Sequence, residues 1–483
     1  MKGFSTIEML IAMTLMVLVL SAVLLLSFGN QSLLADSAGN VEALSLAGQA
    51  LDTEEALARK DFNLVVPTST VQTIGLVAYK ETIQVQTQSD YLTKKVTATV
   101  AWAGEYNRPQ EVTLSAYVTN FEAALSASTC NTELAGNWGA PVIANTAQNF
   151  AQLVGDSSGT YTLTGLNAYR GRLYVTASNS SSGKETFFIF TTATSTPVLL
   201  SKLDNDAAAN SGLTALAVAT STAGNYAYVA SASSFARGQL QILDITNPTS
   251  PQIVAMYKIP TSTVPSAGLG NAIFYQDDYV FLGLTKTSGG KEFNIIDVHN
   301  PKSPLWVGGY SVGNDINSIY VNGSYAYIAS PNAQNLIVLD ISTPANPVFA
   351  GSYAPAGGSN GERVLAVGDT VYLGRTYGTN ELYLLNAATP ASIASLGSKD
   401  IGVGSATSIN GMVVRSAVAF LLTNTQLLLY NVGNPSSIAA YAAPLTLPNA
   451  SSGAALDCEG NTLYAAANDA TKHGYLYVIQ PGV

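Results

Sequence analysis

The side chains able to carry chemistry are few. Among 483 residues there are 2 histidines, His299 and His473, and 2 cysteines, Cys130 and Cys458, which leaves too few ligands for a Cys/His zinc site. No Gly-rich phosphate loop of the Walker type, no G-x-S-x-G elbow and no H-E-x-x-H helix occurs. His299 follows a strand-ending Asp297 and His473 lies in a polar stretch, so both read as turn residues. Asp244, Asp297 and Asp340 could be gathered into a carboxylate cluster, but their repeated context reads as the cap of one recurring tight turn. LDNDAAANSG at 203–212 spaces oxygen ligands like a fragment of a calcium loop, without the later Glu or a correctly placed Gly. Asp204 and Asp206 are therefore the one cation candidate, and no other cofactor is expected. With no catalytic residue assigned, the chain is expected not to be an enzyme.

The remaining chemistry is charge and stacking. The formal net charge is −10 and only 11% of residues are charged, so no basic arm or stripe suggests nucleic acid as a partner. Lys184, Arg237, Lys286, Lys291, Arg375 and Lys472 nevertheless fall at corresponding places in a repeat described next. If those places share one face, they form a partly basic surface for anionic glycans or polymers, with Asp315, Arg363 and Tyr377 as rim residues.

What must position these residues is a repeat beginning near residue 140. SYAYIAS at 324–330 followed by NLIVLDISTPANPVFAGSY at 335–353 is its clearest copy, and NYAYVAS with QLQILDITNPTSPQIVAMY at 225–257 follows the same order. Taking Tyr174, Tyr228, Phe281, Tyr327, Tyr372, Phe420 and Tyr464 as equivalent gives seven units at spacings of 44 to 54 residues. That period suits four-stranded propeller blades, and the units resemble LVIVD-type propeller repeats of surface proteins, LIVLDIS at 336–342 being the nearest copy. The last unit lacks an outer strand, which APVIANT at 140–146 can supply to close the ring. Cys130 and Cys458 then lie just before the first blade strand and inside the last blade, and a disulfide between them is expected in an oxidising compartment.

The other end of the chain reads differently. Phe4 to Phe28 is apolar, with Glu8 its single charge and no Pro or Gly, which is long enough to cross a bilayer as a helix. Lys2 is the only basic residue before Arg59, which places the N-terminus in the cytoplasm and the remainder outside. A helical pattern continues to about Lys60, and alternation at Ile83, Val85 and Thr87, at Val96, Ala98, Val100 and Trp102, and at Val112, Leu114, Ala116 and Val118 predicts an antiparallel meander. Lys2 and Gly3 followed by FSTIE at 4–8 resemble the type IV pilins, minor pilins and pseudopilins. That resemblance implies cleavage by a prepilin peptidase between Gly3 and Phe4, methylation of Phe4, and Glu8 pairing with the N-terminal amine of a neighbouring subunit.

The expected fold class is therefore an α+β pilin module with a long N-terminal transmembrane helix and an antiparallel β-meander, followed by an all-β seven-bladed propeller. Its parts would be a leader at 1–3, a pilin helix at 4–60 with 4–28 in the membrane, a β-sheet module at 61–122, a linker at 123–139 and the propeller at 140–483. The implied function is a minor, tip-located pilin displaying the propeller for adhesion or ligand recognition. Its partners would be other pilin subunits, the prepilin peptidase, an inner-membrane assembly platform and an extracellular ligand such as an anionic glycan. It would be a single-pass membrane protein before assembly and extracellular on the pilus or cell surface afterwards. The alternatives are a major filament subunit, a pseudopilin of a secretion or DNA-uptake machine, and a propeller with hydrolase or lyase activity.

Overall fold

The computed structural model describes residues 6–60, 65–87, 93–104, 107–119, 130, 134–145, 149–156, 159–179, 184–192, 195–205, 212–221, 224–232, 238–260, 268–402 and 407–482. The chain divides into two compact units, 1–125 and 126–483.

In the first unit a 55-residue helix, α1 (Thr6–Lys60), precedes four strands: β1 (Thr68–Ile74), β2 (Val77–Thr87), β3 (Thr93–Ala103) and β4 (Pro109–Thr119). The strands form an antiparallel sheet in sequence order. Small residues on one stripe of α1, Ala43, Ala47, Ala50 and Ala58, let the helix lie close on Ile83, Val96, Ala98, Val100 and Trp102 of the sheet. The fit is tight, because a Cβ added at Gly39 would stand 2.9 Å from the Trp102 indole nitrogen.

The sequence-based fold class needs correction here. Among the described residues no helix is long and apolar enough to cross a membrane, so neither a transmembrane segment nor a single-pass membrane localisation stands. Beyond α1 and a few short turns of helix, the chain is built of strands. Gly3 and Phe4, and the side chain of Glu8, lie outside the described residues.

The second unit is a ring of seven antiparallel sheets. Blades 1 to 7 span 161–205, 213–257, 270–310, 318–353, 361–399, 411–446 and 452–482. Each pairs its strands in sequence order; in blade 6 the fourth strand is split into Ala439–Ala440 and Leu445–Thr446. The first strands of successive blades pack side by side around the axis, and the first strand of blade 7 meets that of blade 1. Blade 7 takes its fourth strand from the start of the unit: β5 (Asn137–Ile143) pairs antiparallel with Gly474–Gly482, Ile143 opposite Ile479 and Val142 opposite Gln480.

Sequence explains the layering within each blade. Third strands such as LIVLD (Leu336–Asp340) are apolar on both faces because another blade covers each side. Phe281, Phe293 and Ile295 of blade 3 thus share one core with Ile319, Ile328, Ile337 and Leu339 of blade 4. Fourth strands lie at the rim and leave Leu305, Val348 and Phe349 exposed.

Two polar devices recur from blade to blade. A carboxylate or amide ends the third strand and caps the following turn: Asp244 accepts from the Thr246 amide at 3.0 Å, Asp297 from His299 at 2.9 Å, and Asp340 from Ser342 at 2.9 Å. Asn386 and Asn431 do the same for Ala388 and Gly433. The second device sits at the opposite end of the strand. Gln239 accepts from the Ile259 amide, Glu292 from Val312 and Gly313, and Glu381 from Ile401, each pinning the segment that leads to the next blade.

Blades also dock through backbone. From blade 3 to blade 6 the turn of the following blade presses on a glycine in the fourth strand before it: Cβ atoms built at Gly308, Gly351 and Gly397 would stand 2.2, 1.7 and 1.8 Å from the carbonyl oxygens of Pro344, Pro390 and Pro435. Between blades 1 and 2 the Ser201 hydroxyl instead donates to the Pro248 carbonyl at 2.6 Å.

Candidate functional site

The innermost strands enclose an axial cavity of about 420 Å³. Each contributes the same three-residue step, beginning at Thr164, Thr214, Asn271, Asn317, Glu362, Asn410 and Ala454. Five of these leading residues occupy β-bulges: the pairing with the second strand skips Thr164, Thr214, Asn271, Glu362 and Ala454. A bulge adds one residue to one strand and re-aims its side chain. Here it interposes a polar or small residue on a strand whose third step position, Leu166, Leu216, Ile273, Ile319, Val364, Met412 or Leu456, is always aliphatic.

Most of these polar groups secure the ring. Thr214 donates to the Gly270 carbonyl at 2.7 Å, Asn271 Nδ2 to Ile316 at 2.8 Å and Asn317 Nδ2 to Gly361 at 2.8 Å, each reaching the next blade. Among the described residues, Glu362 and Arg363 are the only charged ones lining the cavity. Arg363 Nε donates to the Asn410 carbonyl at 2.7 Å and Nη1 to Glu362 O at 3.0 Å. Longer contacts, both 3.5 Å, run from Nη1 to Asn317 O and from Nη2 to Ala454 O. The side chain therefore touches blades 4, 5, 6 and 7. Its partner carboxylate lies 3.5 Å from Nη1 through Oε1 and accepts from Asn317 Nδ2 at 3.2 Å through Oε2. Burial lowers the Arg363 pKa and Glu362 opposes the shift, leaving a guanidinium that stays cationic at neutral pH.

The residues expected to form a basic face are not gathered there. Arg375 is fully buried, donating through Nε to Asn335 Oδ1 at 2.9 Å and through Nη1 to Asn380 O at 3.0 Å, with its guanidinium 5.3 Å from the Tyr383 ring centre. It ties blade 5 to blade 4 and offers nothing to solvent. Lys291 lies over the Trp306 ring at 5.2 Å. Lys286, Lys472 and Tyr377 are exposed, whereas Asp315 is half-buried and accepts from the Lys286 amide at 2.6 Å. Arg237 and the side chain of Lys184 lie outside the described residues, as does Asp206 of the calcium candidate. Asp204 is exposed and accepts from Thr186 at 3.0 Å. No group of three or more His, Cys, Asp or Glu able to hold a metal exists among the described residues. His299 and His473 sit in turns beside Asp297 and Asp469, as their sequence context implies.

A second polar cluster lies at the seam between blades 7 and 1. Cys130 is disulfide-bonded to Cys458, with Cα atoms 5.2 Å apart. On either side of Cys458, the half-buried Asp457 and the buried Glu459 reach into blade 1. Asp457 accepts from Asn167 Nδ2 and the Ala168 amide, both at 2.8 Å, and Glu459 from the Gly171 amide at 2.8 Å. Burial pushes the Asp457 pKa up to about 6 against its hydrogen bonds, and pushes Glu459 up to about 7, with the Asp457 charge adding to the shift. These carboxylates clamp two blades together. Sequence reading passed over them, although D-C-E spans the disulfide cysteine.

No curated protein matches the chain by sequence, and no family match falls within 1–125, so the likeness of the N-terminus to type IV pilins gains no support. Among solved structures, Raptor from Chaetomium thermophilum is similar at a TM-score of 0.51 and 10% identity, over 75% of this chain and 30% of that one. The chain thus spans under a third of Raptor's length, and the likeness concerns the fold alone. A periplasmic gluconolactonase from Pseudomonas aeruginosa has a TM-score of 0.45 at 13% identity over 59% of this chain and 88% of its own. For a putative 6-phosphogluconolactonase from Bacteroides fragilis the figures are 0.47, 10%, 74% and 92%. Residues 217–259 and 313–354 match the LVIVD repeat, so stretches centred on blades 2 and 4 are of that repeat type and the unit is a repeat β-propeller.

Proposed function

We propose that the propeller is a ligand-recognition module whose binding site is the axial cavity. The observation that carries this reading is the convergence on one axis of a bulged polar residue from most blades with the Glu362–Arg363 pair. A propeller leaves a channel at its axis, and concave sites with a few converging polar groups are the usual form of ligand pockets. An extracellular anionic glycan is a ligand class consistent with the single guanidinium. The test is a glycan and small-molecule binding array with the full-length chain, alongside Thr214→Trp, which fills the cavity. Binding that disappears in the filled variant supports the reading, and binding that survives it refutes it.

A second reading makes the same cavity a hydrolase or lyase site. It is favoured by the Glu362 carboxylate standing 3.5 Å from Arg363, since a carboxylate beside a fixed cation is the arrangement a general base with an oxyanion-stabilising neighbour would need. Turnover of chromogenic ester or lactone substrates that is abolished in Glu362→Gln would establish it. Absence of turnover in the intact chain would leave binding as the function.

A further inference from the structure

We infer that the axial cavity binds a sugar acid unit, a ring bearing one carboxylate and several hydroxyls, with Arg363 Nη2 taking the carboxylate and the Asn271, Asn317 and Glu362 oxygens taking the hydroxyls. This rests on the recognition reading above and names the ligand class for the same site.

The inventory of donors and acceptors carries it. Of the Arg363 nitrogens, Nε and Nη1 are held by carbonyls at 2.7 and 3.0 Å, whereas both N–H bonds of Nη2 share one contact at 3.5 Å. Nη2 is thus the donor left for an incoming acceptor, and a charge-assisted bond to a carboxylate is about twice as strong as a neutral one. Asn271 and Asn317 spend their Nδ2 groups on the backbone of the next blade. Their Oδ1 atoms accept nothing among the described residues. Together with Glu362 they present acceptors only, which calls for a ligand rich in hydroxyl donors.

Charge fixes the rest. Glu362 and Arg363 cancel, so the lining is formally neutral, and a doubly charged phosphate would meet one cation already shared with a carboxylate. A single carboxylate shifts the balance least. Polyhydroxylated neutral molecules satisfy the acceptors but leave Nη2 with its long contact.

The experiment is calorimetric titration of the full-length chain with sodium glucuronate and with glucose, repeated on Arg363→Gln, Glu362→Gln and Thr214→Trp, each checked for an unchanged melting profile. Glucuronate should bind at least tenfold more tightly than glucose. Arg363→Gln should remove that preference, and Glu362→Gln, which relieves the repulsion, should strengthen glucuronate binding severalfold. Because Arg363 bridges blades, Glu362→Gln keeps the inference testable if Arg363→Gln fails to fold. Equal affinity for glucose and glucuronate, or a folded Arg363→Gln that keeps the preference, overturns the inference. If array ligands other than sugar acids bind and are lost in Thr214→Trp while glucuronate does not bind, the inference fails and the recognition reading survives. If array binding is indifferent to Thr214→Trp, the recognition reading itself fails.

Discussion

Replacing Gly351 by alanine tests whether blade docking depends on backbone contact rather than on side-chain packing alone. Gly351 opposes Val338 in the fourth strand of blade 4, and a Cβ there would stand 1.7 Å from the Pro390 carbonyl oxygen of blade 5. A carbon and an oxygen need roughly 3.2 Å, so about 1.5 Å of movement must come from somewhere. The obstacle is backbone in a 3-10 turn at Pro390–Ser392, which cannot rotate away as a side chain would. Small-to-large changes of this sort cost about 1–3 kcal/mol, offset by the ~0.5–1 kcal/mol that alanine gains over glycine within a strand. A net destabilisation of about 1–2 kcal/mol is expected, appearing as a lower urea midpoint and as faster amide exchange confined to blades 4 and 5. Blade 2 supplies the control: Ala255 faces Ile242 in the same register, so Ala255→Gly should cost under about 1 kcal/mol by strand entropy alone. If Gly351→Ala melts like the parent chain, blades are not docked through these carbonyls and the account of inter-blade packing is wrong.

Other consequences can be checked in the same way. Because the folded pKa of Glu459 is raised, its burial is tolerated best when it is protonated; stability from this group is full below about pH 4.5 and is lost as pH rises through about 7. Thermal stability is expected to rise on going from pH 8 to pH 5 and Glu459→Gln to flatten that rise; a variant with the parent's pH profile would exclude the seam as its source. Reducing the Cys130–Cys458 bond, or replacing both cysteines by alanine, should cost about 2–5 kcal/mol, read as a lower urea midpoint; an unchanged midpoint would show that strand pairing alone holds the seam. Glu292→Ala would strand the Val312 and Gly313 amides and the Thr287 hydroxyl, for a loss of about 3 kcal/mol. Limited proteolysis should then cut the 311–317 segment first, and uniform protection there would contradict the pinning role.

The parts of this fold that were legible in the sequence are those carried by period and by turn chemistry. The LIVLD-type third strands and the Asp or Asn two residues before a turn amide repeat as letters, so blade order and the capping role of Asp244, Asp297 and Asp340 could be read directly. Of the axial site only Arg363 was singled out, and as a rim residue rather than an axial one. A bulge is one residue skipped in the pairing at Thr164, Thr214, Asn271, Glu362 and Ala454, and nothing in those residue types announces it. Arg363 and Arg375 look alike as letters, yet one crosses the axis and the other is sealed between blades 4 and 5, because each follows its strand's pairing rather than its charge. The Gln239, Glu292 and Glu381 clamps did leave a signal, a polar residue directly before each apolar third strand, which passes for a strand boundary. β1 was missed because TSTVQTI is exposed along almost its whole length, so little burial imprints an apolar alternation on it.

The way the ring is closed has a mechanical consequence. Tension arriving along the chain from the N-terminal side reaches Cys130 before it reaches β5, and the disulfide passes it to Cys458 in the first strand of the last blade. The closing strand is thereby spared the end-on peeling that would unzip its few pairs with Gly474–Gly482 one at a time. Residues 131–457 form a covalent loop through which no stretching force runs while the bond is intact. A pull between the N-terminal and C-terminal sides of the chain would thus load only the segments outside the loop that holds blades 1 to 6, and the reducing state of the surroundings would set whether the propeller behaves as a rigid link or as a strap that pays out.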